Sequence, residues 1–201
     1  METIEPREYH STAYIDIDGV ILPCFNPEPY YDDQNPNEAL DKVWLNSIEY
    51  YYPEVIEALG SALADSLVLS SSSRMMDFIS NEQYRPIVEA LNMQGALFID
   101  EVRPGSIHLK YEAVMRHWGD RSGETVAPKL ERGGVMTPVM GRRLGAVGVR
   151  GFWIDDHITQ LEYTNVEQAE LGGGMLLVAP RSHRGITLKD VEHIAQTLNA
   201  S

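Results

Sequence analysis

Short, mainly apolar runs of strand length alternate along the chain with longer amphipathic stretches. Each run holds three to five residues and few polar side chains. Runs of this kind are typical of strands that are buried on both faces of a sheet. We therefore predict five such strands, at Ala13–Ile17, Leu67–Leu69, Ala96–Ile99, Gly151–Ile154 and Met175–Val178.

The stretches between these runs place apolar side chains three or four residues apart, which is the spacing of one helix face. They predict helices at Pro53–Ala64, Arg85–Asn92, Leu109–Trp118, Ile158–Leu171 and Leu188–Leu198. Thr187 and Asp190 resemble a capping box before the last helix. Strands that alternate with helices indicate an α/β fold with a parallel sheet, and such sheets bind ligands outside the carboxyl ends of their strands.

Two stretches do not follow this alternation. Residues 23–52 are rich in proline and aromatic side chains, and we interpret them as a loop with a small hairpin around Val43–Ile48. Residues 119–149 are rich in glycine and arginine, and they are long for a connection between a helix and a strand. We interpret them as a flap, a hairpin or a mobile loop inserted into a single domain that spans residues 1–201.

The composition is that of a globular protein. Of the 201 residues, 43% are hydrophobic and 23% are charged, which excludes disordered and fibrous classes. No apolar run approaches the length that crosses a bilayer, and the N-terminal residues lack the apolar core of a secretory signal. A single cysteine, Cys24, excludes an intramolecular disulfide framework. We expect a cytoplasmic protein.

The charge is strongly negative but uneven along the chain. The net charge of −14 opposes nonspecific binding to nucleic acid or to an anionic membrane. Residues 121–150 nevertheless hold six basic and two acidic side chains, a local net charge of +4. Such a segment either meets an anionic partner or is a solvated loop whose charges pair with acidic neighbours, and charge alone favours the solvated loop.

Two pairs of aspartates follow predicted strands. Asp16 and Asp18 end the first strand and precede Gly19, whereas Asp155 and Asp156 end the fourth. Adjacent parallel strands would bring the pairs together, and neighbouring acids are costly unless a cation joins them. Oxygen ligands of this type suit Mg²⁺. An EF-hand calcium loop that begins at Asp16 is excluded, because valine, cysteine and proline occupy later ligand positions.

Three further polar features are weak when taken alone. Ser70–Ser73 follow the second strand, where small hydroxyl groups can bind a phosphate, although a serine-rich turn is commoner. Lys110 begins a predicted helix and can neutralise a phosphate, although an ordinary surface lysine is the commoner case. His157 is a possible metal ligand, but we expect it to start a helix or to contact the acids, because Mg²⁺ prefers oxygen ligands. The sequence lacks the serine-hydrolase, P-loop and dinucleotide-binding motifs.

Taken in order, these features resemble the motifs of the haloacid dehalogenase (HAD) superfamily of phosphotransferases. Asp16–Gly19 is similar to the first motif, the serine run to the second, Lys110 to the third and Asp155–Asp156 to the fourth. The motifs and the predicted elements together cover about residues 13–199.

A narrower resemblance is to the compact HAD domains that are found with RNA-repair enzymes. It rests on Tyr52–Leu59, on Trp153–Asp156 and on residues 176–187. A serine run stands where that group has a tryptophan-flanked threonine, and residues 119–149 are an addition to its pattern.

The superfamily resemblance implies a HAD-like, Rossmann-like three-layer fold around a parallel sheet of about five strands, without a full cap domain. It also implies a phosphohydrolase that works through an aspartyl-phosphate. Asp16 would attack phosphorus, and Asp18 would act as general acid and then as general base. Ser71, with Ser72 as the second choice, would donate a hydrogen bond to the phosphate. Lys110 would hold Asp16 and the phosphoryl group.

The same resemblance implies a Mg²⁺ cofactor. Asp16, the carbonyl oxygen of Asp18 and one acid of the last pair would bind it. We favour Asp156 as the direct ligand and Asp155 as its support.

The expected substrate is a nucleotide or a polynucleotide phosphate, because a site without a cap is open to a large molecule. The basic segment would guide the nucleic-acid backbone, and Tyr30, Tyr31 or Trp44 would stack a base; packing of these aromatic side chains beneath the loop is equally expected. Two alternatives stay open, a phosphatase of small metabolites and a non-catalytic HAD-fold binding module. The intact aspartates argue against the non-catalytic module.

Overall fold

A computed structural model describes ten stretches of the chain. They are residues 11–24, 35–72, 81–97, 110, 113–114, 116–118, 128–130, 136–138, 150–158 and 175–199. For residues 128–130, 136–138 and 150, only the backbone is described.

Five parallel strands form the central sheet, and two hairpins lie outside it. The sheet strands are β1 (Ser11–Ile15), β4 (Ser66–Ser70), β5 (Met93–Ala96), β8 (Arg150–Ile154) and β9 (Met175–Val178). Their order across the sheet is β5-β4-β1-β8-β9. The hairpins pair β2 (Val43–Trp44) with β3 (Tyr50–Tyr51), and β6 (Pro128–Leu130) with β7 (Met136–Pro138).

Alternate residues of each strand enter two separate cores. Ala13 and Ile15 of β1 belong to one apolar cluster, while Tyr14 between them belongs to the other. Phe152 and Trp153 of β8 divide in the same way. Because successive side chains of a strand point to opposite faces, the sheet is buried on both sides, as the unbroken apolar runs predict.

Three helices pack on one face of the sheet. They are α1 (Pro53–Ala62), α2 (Arg85–Ala90) and α3 (Leu188–Asn199), and α1 contacts the other two. The predicted capping box is present, since the Thr187 N–H donates to Asp190 Oδ2 at 2.9 Å and the Asp190 N–H donates to Thr187 Oγ1 at 3.3 Å. A helix that includes residues 110, 113–114 and 116–118, here the Lys110 helix, contributes Val114 and Trp118 to the opposite core. The fold is therefore a three-layer, Rossmann-like α/β fold.

Most of the predicted elements are observed, with two displaced strands. The strand predicted at Ala13–Ile17 lies two residues earlier, at Ser11–Ile15. The strand predicted at Ala96–Ile99 begins three residues earlier, at Met93, and the Leu97 N–H continues its ladder by donating to the Ser70 carbonyl oxygen at 2.9 Å. Of the helix predicted at Ile158–Leu171, all but its first residue lies outside the described residues. Both irregular stretches contain a hairpin, and the described ranges show no cap domain.

The strand order reverses between β1 and β8. Along the chain, β4 and β5 are added on one side of β1, whereas β8 and β9 follow on the other side. In open α/β sheets, the crevice at such a reversal, outside the carboxyl ends of the strands, is where ligands bind. Asp16 follows β1 and Asp155 follows β8 at this crevice. No described helix is long and apolar enough to span a membrane.

Candidate functional site

The chain turns sharply where β1 ends. The Asp16 N–H extends the ladder by donating to the Ile154 carbonyl oxygen at 2.9 Å. Beyond it, the N–H groups of Ile21 and Leu22 both donate to the Ile17 carbonyl oxygen at 2.9 Å. This tight turn leaves the Asp16 side chain buried at the end of the strand, where its Oδ1 accepts a 2.8 Å hydrogen bond from the Ile17 N–H.

Gly19 brings this turn against the second acidic pair. Its φ of +75° is in the left-handed region that favours glycine. A Cβ atom at this position would also overlap the Asp156 carboxylate. The glycine of the first motif is therefore required both by backbone conformation and by contact with the last motif.

Asp155 is held on both of its carboxylate oxygens. The His157 N–H donates to Oδ1 at 2.9 Å, and Lys110 Nζ donates to Oδ2 at 3.0 Å. The side chain is fully buried. A buried carboxylate that is satisfied in this way suits a supporting role.

Lys110 joins the two acidic pairs. From the opposite layer, its ammonium donates to Asp16 Oδ2 and to Asp155 Oδ2. Burial lowers the pKa of Lys110, but the two carboxylates raise it by more than burial lowers it, so the ammonium stays charged. This ion pair network fixes the side chain that sequence analysis assigned to the third motif.

Asp156 has an oxygen that no described residue satisfies. Its side chain is 4% exposed, and Oδ1 has no hydrogen-bond donor among the described residues. His157 Nδ1 lies 2.9 Å from this oxygen, an ion-pair distance without hydrogen-bond alignment. Asp16, Asp155, Asp156 and His157 each place one ligand atom within 4.8 Å of the others.

The three carboxylates of this cluster are costly to ionise together. Burial raises the pKa of Asp16, and the neighbouring Asp155 raises it further. Burial is also the main cause of the raised pKa of Asp155 and of Asp156. A divalent cation would offset both the loss of solvation on burial and the repulsion between the carboxylates. Carboxylate oxygens are ordinary ligands of such a cation. The buried acidic cluster can therefore hold a metal ion.

Ser71 supplies a second unsatisfied polar group beside this cluster. Its N–H donates to the Ile15 carbonyl oxygen at 2.9 Å, which places it next to the residue that precedes Asp16. The hydroxyl is buried and has no hydrogen-bond partner within the described part of the chain. A buried hydroxyl without a partner is costly, and a bound anion would satisfy it.

The structure brings together most of the residues predicted for the site. Asp16, Lys110, Asp155 and Asp156 are in one cluster, and Ser71 directly follows the adjacent strand β4. Asp18 is half-buried and lies in the same turn, but its carboxylate is outside the group of four ligand atoms.

Two neighbours of the site were not assigned a chemical role from the sequence. His157 contacts the acids, as expected, but it also belongs to the group of possible metal ligands. The pKa of the Cys24 thiol, an exposed residue, is raised by partial burial and then by the charges of Asp156 and Asp18. Adjacency to Asp156 was the available signal for His157, whereas nothing in the sequence pattern indicated Cys24.

The aromatic side chains predicted to stack a base are only partly described. Trp44 is 55% exposed on the hairpin of β2 and β3 and contacts Tyr50 at a ring distance of 4.9 Å. Tyr30 and Tyr31 lie outside the described residues, as does most of the basic segment 119–149.

A scan against protein-family models found no match, and a search of curated proteins also found none.

Proposed function

We propose that this protein is a Mg²⁺-dependent phosphohydrolase of the HAD type that acts through an aspartyl-phosphate on a nucleotide or polynucleotide phosphate. The observation that carries the proposal is the position of Asp16. It lies at the reversal of strand order, bonded to Lys110 and grouped with Asp155 and Asp156. A carboxylate beside a fixed cation, in a crevice that binds ligands, is equipped for nucleophilic attack on a phosphate.

The chemistry needs two carboxyl groups with different roles. An Asp16 oxygen forms a bond to phosphorus while the bond from phosphorus to the leaving oxygen breaks, and Asp18 gives its proton to that oxygen. Asp18 then takes a proton from a water molecule, whose oxygen attacks phosphorus and releases Asp16. The exposure of Asp18, which is greater than that of Asp16, suits exchange of this proton with solvent.

The residues present fit a bound Mg²⁺ ion. Asp16, the carbonyl oxygen of Asp18 and Asp156 would hold it, and the unsatisfied Oδ1 of Asp156 supports this choice. Asp155 would orient Lys110 through the 3.0 Å hydrogen bond. When bound, the ion supplies positive charge that stabilises the transferring phosphoryl group.

Lys110 and Ser71 would position the phosphate. The ammonium already holds Asp16 and has a permanent charge, so it keeps the nucleophile in place and attracts the anionic substrate. The Ser71 hydroxyl lacks a partner in the described part of the chain and would donate to a phosphate oxygen.

The substrate class is supported by the hairpin of β2 and β3 and by the described ranges, which contain no cap domain. This hairpin precedes α1, and α1 leads into β4, so it lies at the end of the sheet where the site is. Exposed aromatic side chains at such a rim can stack a base. Trp44 is the described residue that suits this role.

The deciding experiment is a phosphate-release assay with Mg²⁺ on a panel of substrates. It compares free nucleotides, oligonucleotides with 3′- or 5′-phosphates, small sugar phosphates and an aryl phosphate. Activity on nucleotides or oligonucleotides supports the proposal. Activity on sugar phosphates alone would show that the substrates are small metabolites instead. If no substrate releases phosphate and a fluoride-based phosphate mimic does not bind, the protein is a non-catalytic binding module rather than an enzyme.

A further inference from the structure

We propose that His157 is an additional ligand of the cation at this site, and that the site binds a transition-metal dication such as Mn²⁺ more tightly than Mg²⁺. The inference rests on the cation site of the proposed function and assigns its metal preference. It concerns the imidazole, which the motif resemblance does not place among the ligands.

The backbone aims the imidazole at the acidic cluster. The His157 N–H is fixed by Asp155 Oδ1 at 2.9 Å, which sets the turn that follows β8. In this turn Nδ1 lies 2.9 Å from Asp156 Oδ1 and 3.8 Å from Asp155 Oδ1. A ring nitrogen of His157 is also one of the four donor atoms that lie within 4.8 Å of one another. Two ligands of one ion with bonds of about 2.1 Å are at most about 4.2 Å apart, and both Nδ1 distances are within this limit.

A second observation points to an ion at this place. Asp156 Oδ1 is buried and has no hydrogen-bond donor among the described residues, although the imidazole nitrogen is near it. Gly19 presses against the same carboxylate, so Asp156 has no room to turn towards that side. The oxygen and the imidazole nitrogen form an ion pair at 2.9 Å without the alignment of a hydrogen bond, and two ligands of one cation can have this separation.

The chemistry of the donor set then determines the preferred ion. Carboxylates suit Mg²⁺, Ca²⁺ and Mn²⁺ alike, but an imidazole adds affinity for a transition metal such as Mn²⁺ and little for Mg²⁺. The His157 side chain is 48% exposed, so a cation can reach it from solvent without opening the core. We therefore expect an imidazole contribution to Mn²⁺ affinity that is absent for Mg²⁺.

The experiment is a spectroscopic search for nitrogen bound to Mn²⁺. The full-length protein is loaded with Mn²⁺, and electron spin-echo envelope modulation is recorded with natural histidine and with ¹⁵N-labelled histidine. The isotope test needs no substitution, so it cannot fail through misfolding. We expect a ¹⁴N modulation that changes to the ¹⁵N pattern on labelling.

Substitution and calorimetry complete the test. His157→Ala should remove the nitrogen modulation and weaken Mn²⁺ binding by about tenfold or more, a loss that removal of even an outer-shell partner can cause. Mg²⁺ binding should change much less. His193→Ala is the matched control, because His193 is exposed on α3 and belongs to no group of ligand atoms among the described residues.

The outcomes separate this inference from the proposed function. Bound Mn²⁺ without nitrogen modulation, or with modulation that survives His157→Ala, overturns the role of His157 and leaves the carboxylate site standing. Failure of the wild-type protein to bind either cation overturns the cation site itself, and the proposed function with it.

Discussion

Asp16 is engaged on both oxygens, and each contact has a different consequence for its replacement by asparagine. The asparagine side chain would keep the shape of the aspartate and would remove the repulsion from Asp155 that raises the pKa of Asp16. The amide oxygen can still accept from the Ile17 N–H, whereas the amide NH2 cannot accept from Lys110, which keeps Asp155 as its partner at 3.0 Å. The fold should therefore tolerate the change, although the amide cannot act as the nucleophile.

For Asp16→Asn we predict a loss of phosphate release on the order of 10⁴-fold or more, with the thermal midpoint changed by only a few degrees. Asp41→Asn, at an exposed position outside the cluster, is the charge-matched control. Turnover and thermal unfolding are measured on the same preparations. Full activity of Asp16→Asn would refute the assignment of the nucleophile.

Ser71→Ala separates binding of substrate from stability of the fold. Because its buried hydroxyl has no partner within the described residues, its removal should leave the free energy of unfolding unchanged within about 0.5 kcal/mol or raise it. Phosphate release should nevertheless fall, by up to about 100-fold for the loss of one donor. Ser61→Ala, which removes an exposed hydroxyl bonded to the Glu57 carbonyl oxygen at 2.8 Å, should leave phosphate release unchanged.

The result for Ser71 is read from denaturant unfolding and from initial rates at several substrate concentrations. A destabilised protein with normal turnover would show that the hydroxyl has a structural partner instead. Equal losses of turnover in Ser71→Ala and Ser61→Ala would remove the reason to place Ser71 at the phosphate.

At the level of single residues, sequence reasoning located the acids and the lysine because each follows a strand or begins a helix. It could not determine which way a side chain turns once the strand has ended. The contact of His157 Nδ1 with Asp156 and the proximity of Cys24 to the acids depend on that turn. Both follow from the loop geometry around Gly19 and Asp155, which no residue pattern encodes.

Between elements, two polar contacts fasten the Lys110 helix to β1. Lys110 bonds to Asp16 at the end of the strand, and Tyr14 Oη lies 2.8 Å from His117 Nδ1 further down. Tyr14 and Asp16 are two residues apart on one face of β1, while Lys110 and His117 are two helical turns apart. The second contact therefore fixes the position of the helix that carries the ammonium.

Tyr14→Phe should cost about 0.5–1.5 kcal/mol of stability and make Lys110 more reactive towards an amine reagent. Tyr84→Phe is the matched control, because Tyr84 is also buried and donates its hydroxyl hydrogen to Glu49 Oε2 at 2.7 Å, away from the site. Lysine labelling is measured by mass spectrometry, with exposed Lys42 as the internal reference. Equal labelling of Lys110 in both variants would show that Tyr14 only stabilises the fold.

Both edge strands were predicted, but the apolar strand β9 was placed correctly and β5 was not. β9 has the predicted bounds, whereas β5 begins at Met93 and contains Gln94 and Gly95. An edge strand pairs on one side only, so it needs less β-forming sequence than a central strand. The strand was predicted at Ala96–Ile99 instead, because those residues are apolar. A register shift opposite Val68 and Leu69 adds a further irregularity that periodicity does not show.

At the scale of the whole molecule, the acidic site lies in a chain whose net charge is already −14. Three buried carboxylates add to this excess, and one lysine meets two of them. The fold class and the location of the crevice followed from the alternation of strands and helices. The charge balance of the crevice could not be predicted from this alternation, because it depends on which side chains the sheet order brings together.

Cation binding should therefore stabilise the protein in a pH-dependent way. The pKa values of Asp16, Asp155 and Asp156 are raised in the folded protein. The folded state thus holds protons more tightly than the unfolded state, and without a cation its stability falls as pH rises above about 4 and through these raised values. A cation binds the deprotonated acids, so it should stabilise more at pH 8 than at pH 5.

The measurement is thermal unfolding with and without Mg²⁺ or Mn²⁺ at the two pH values and at constant ionic strength. A cation at 100 times its Kd contributes about 2.7 kcal/mol, which raises the midpoint by roughly 5–10 °C for a chain of this length. Asp156→Asn should lose most of this increase, because the amide replaces the carboxylate whose Oδ1 lacks a donor among the described residues. An equal increase at both pH values, or one that persists in Asp156→Asn, would show that the cation acts on the acidic surface rather than in the crevice between β1 and β8.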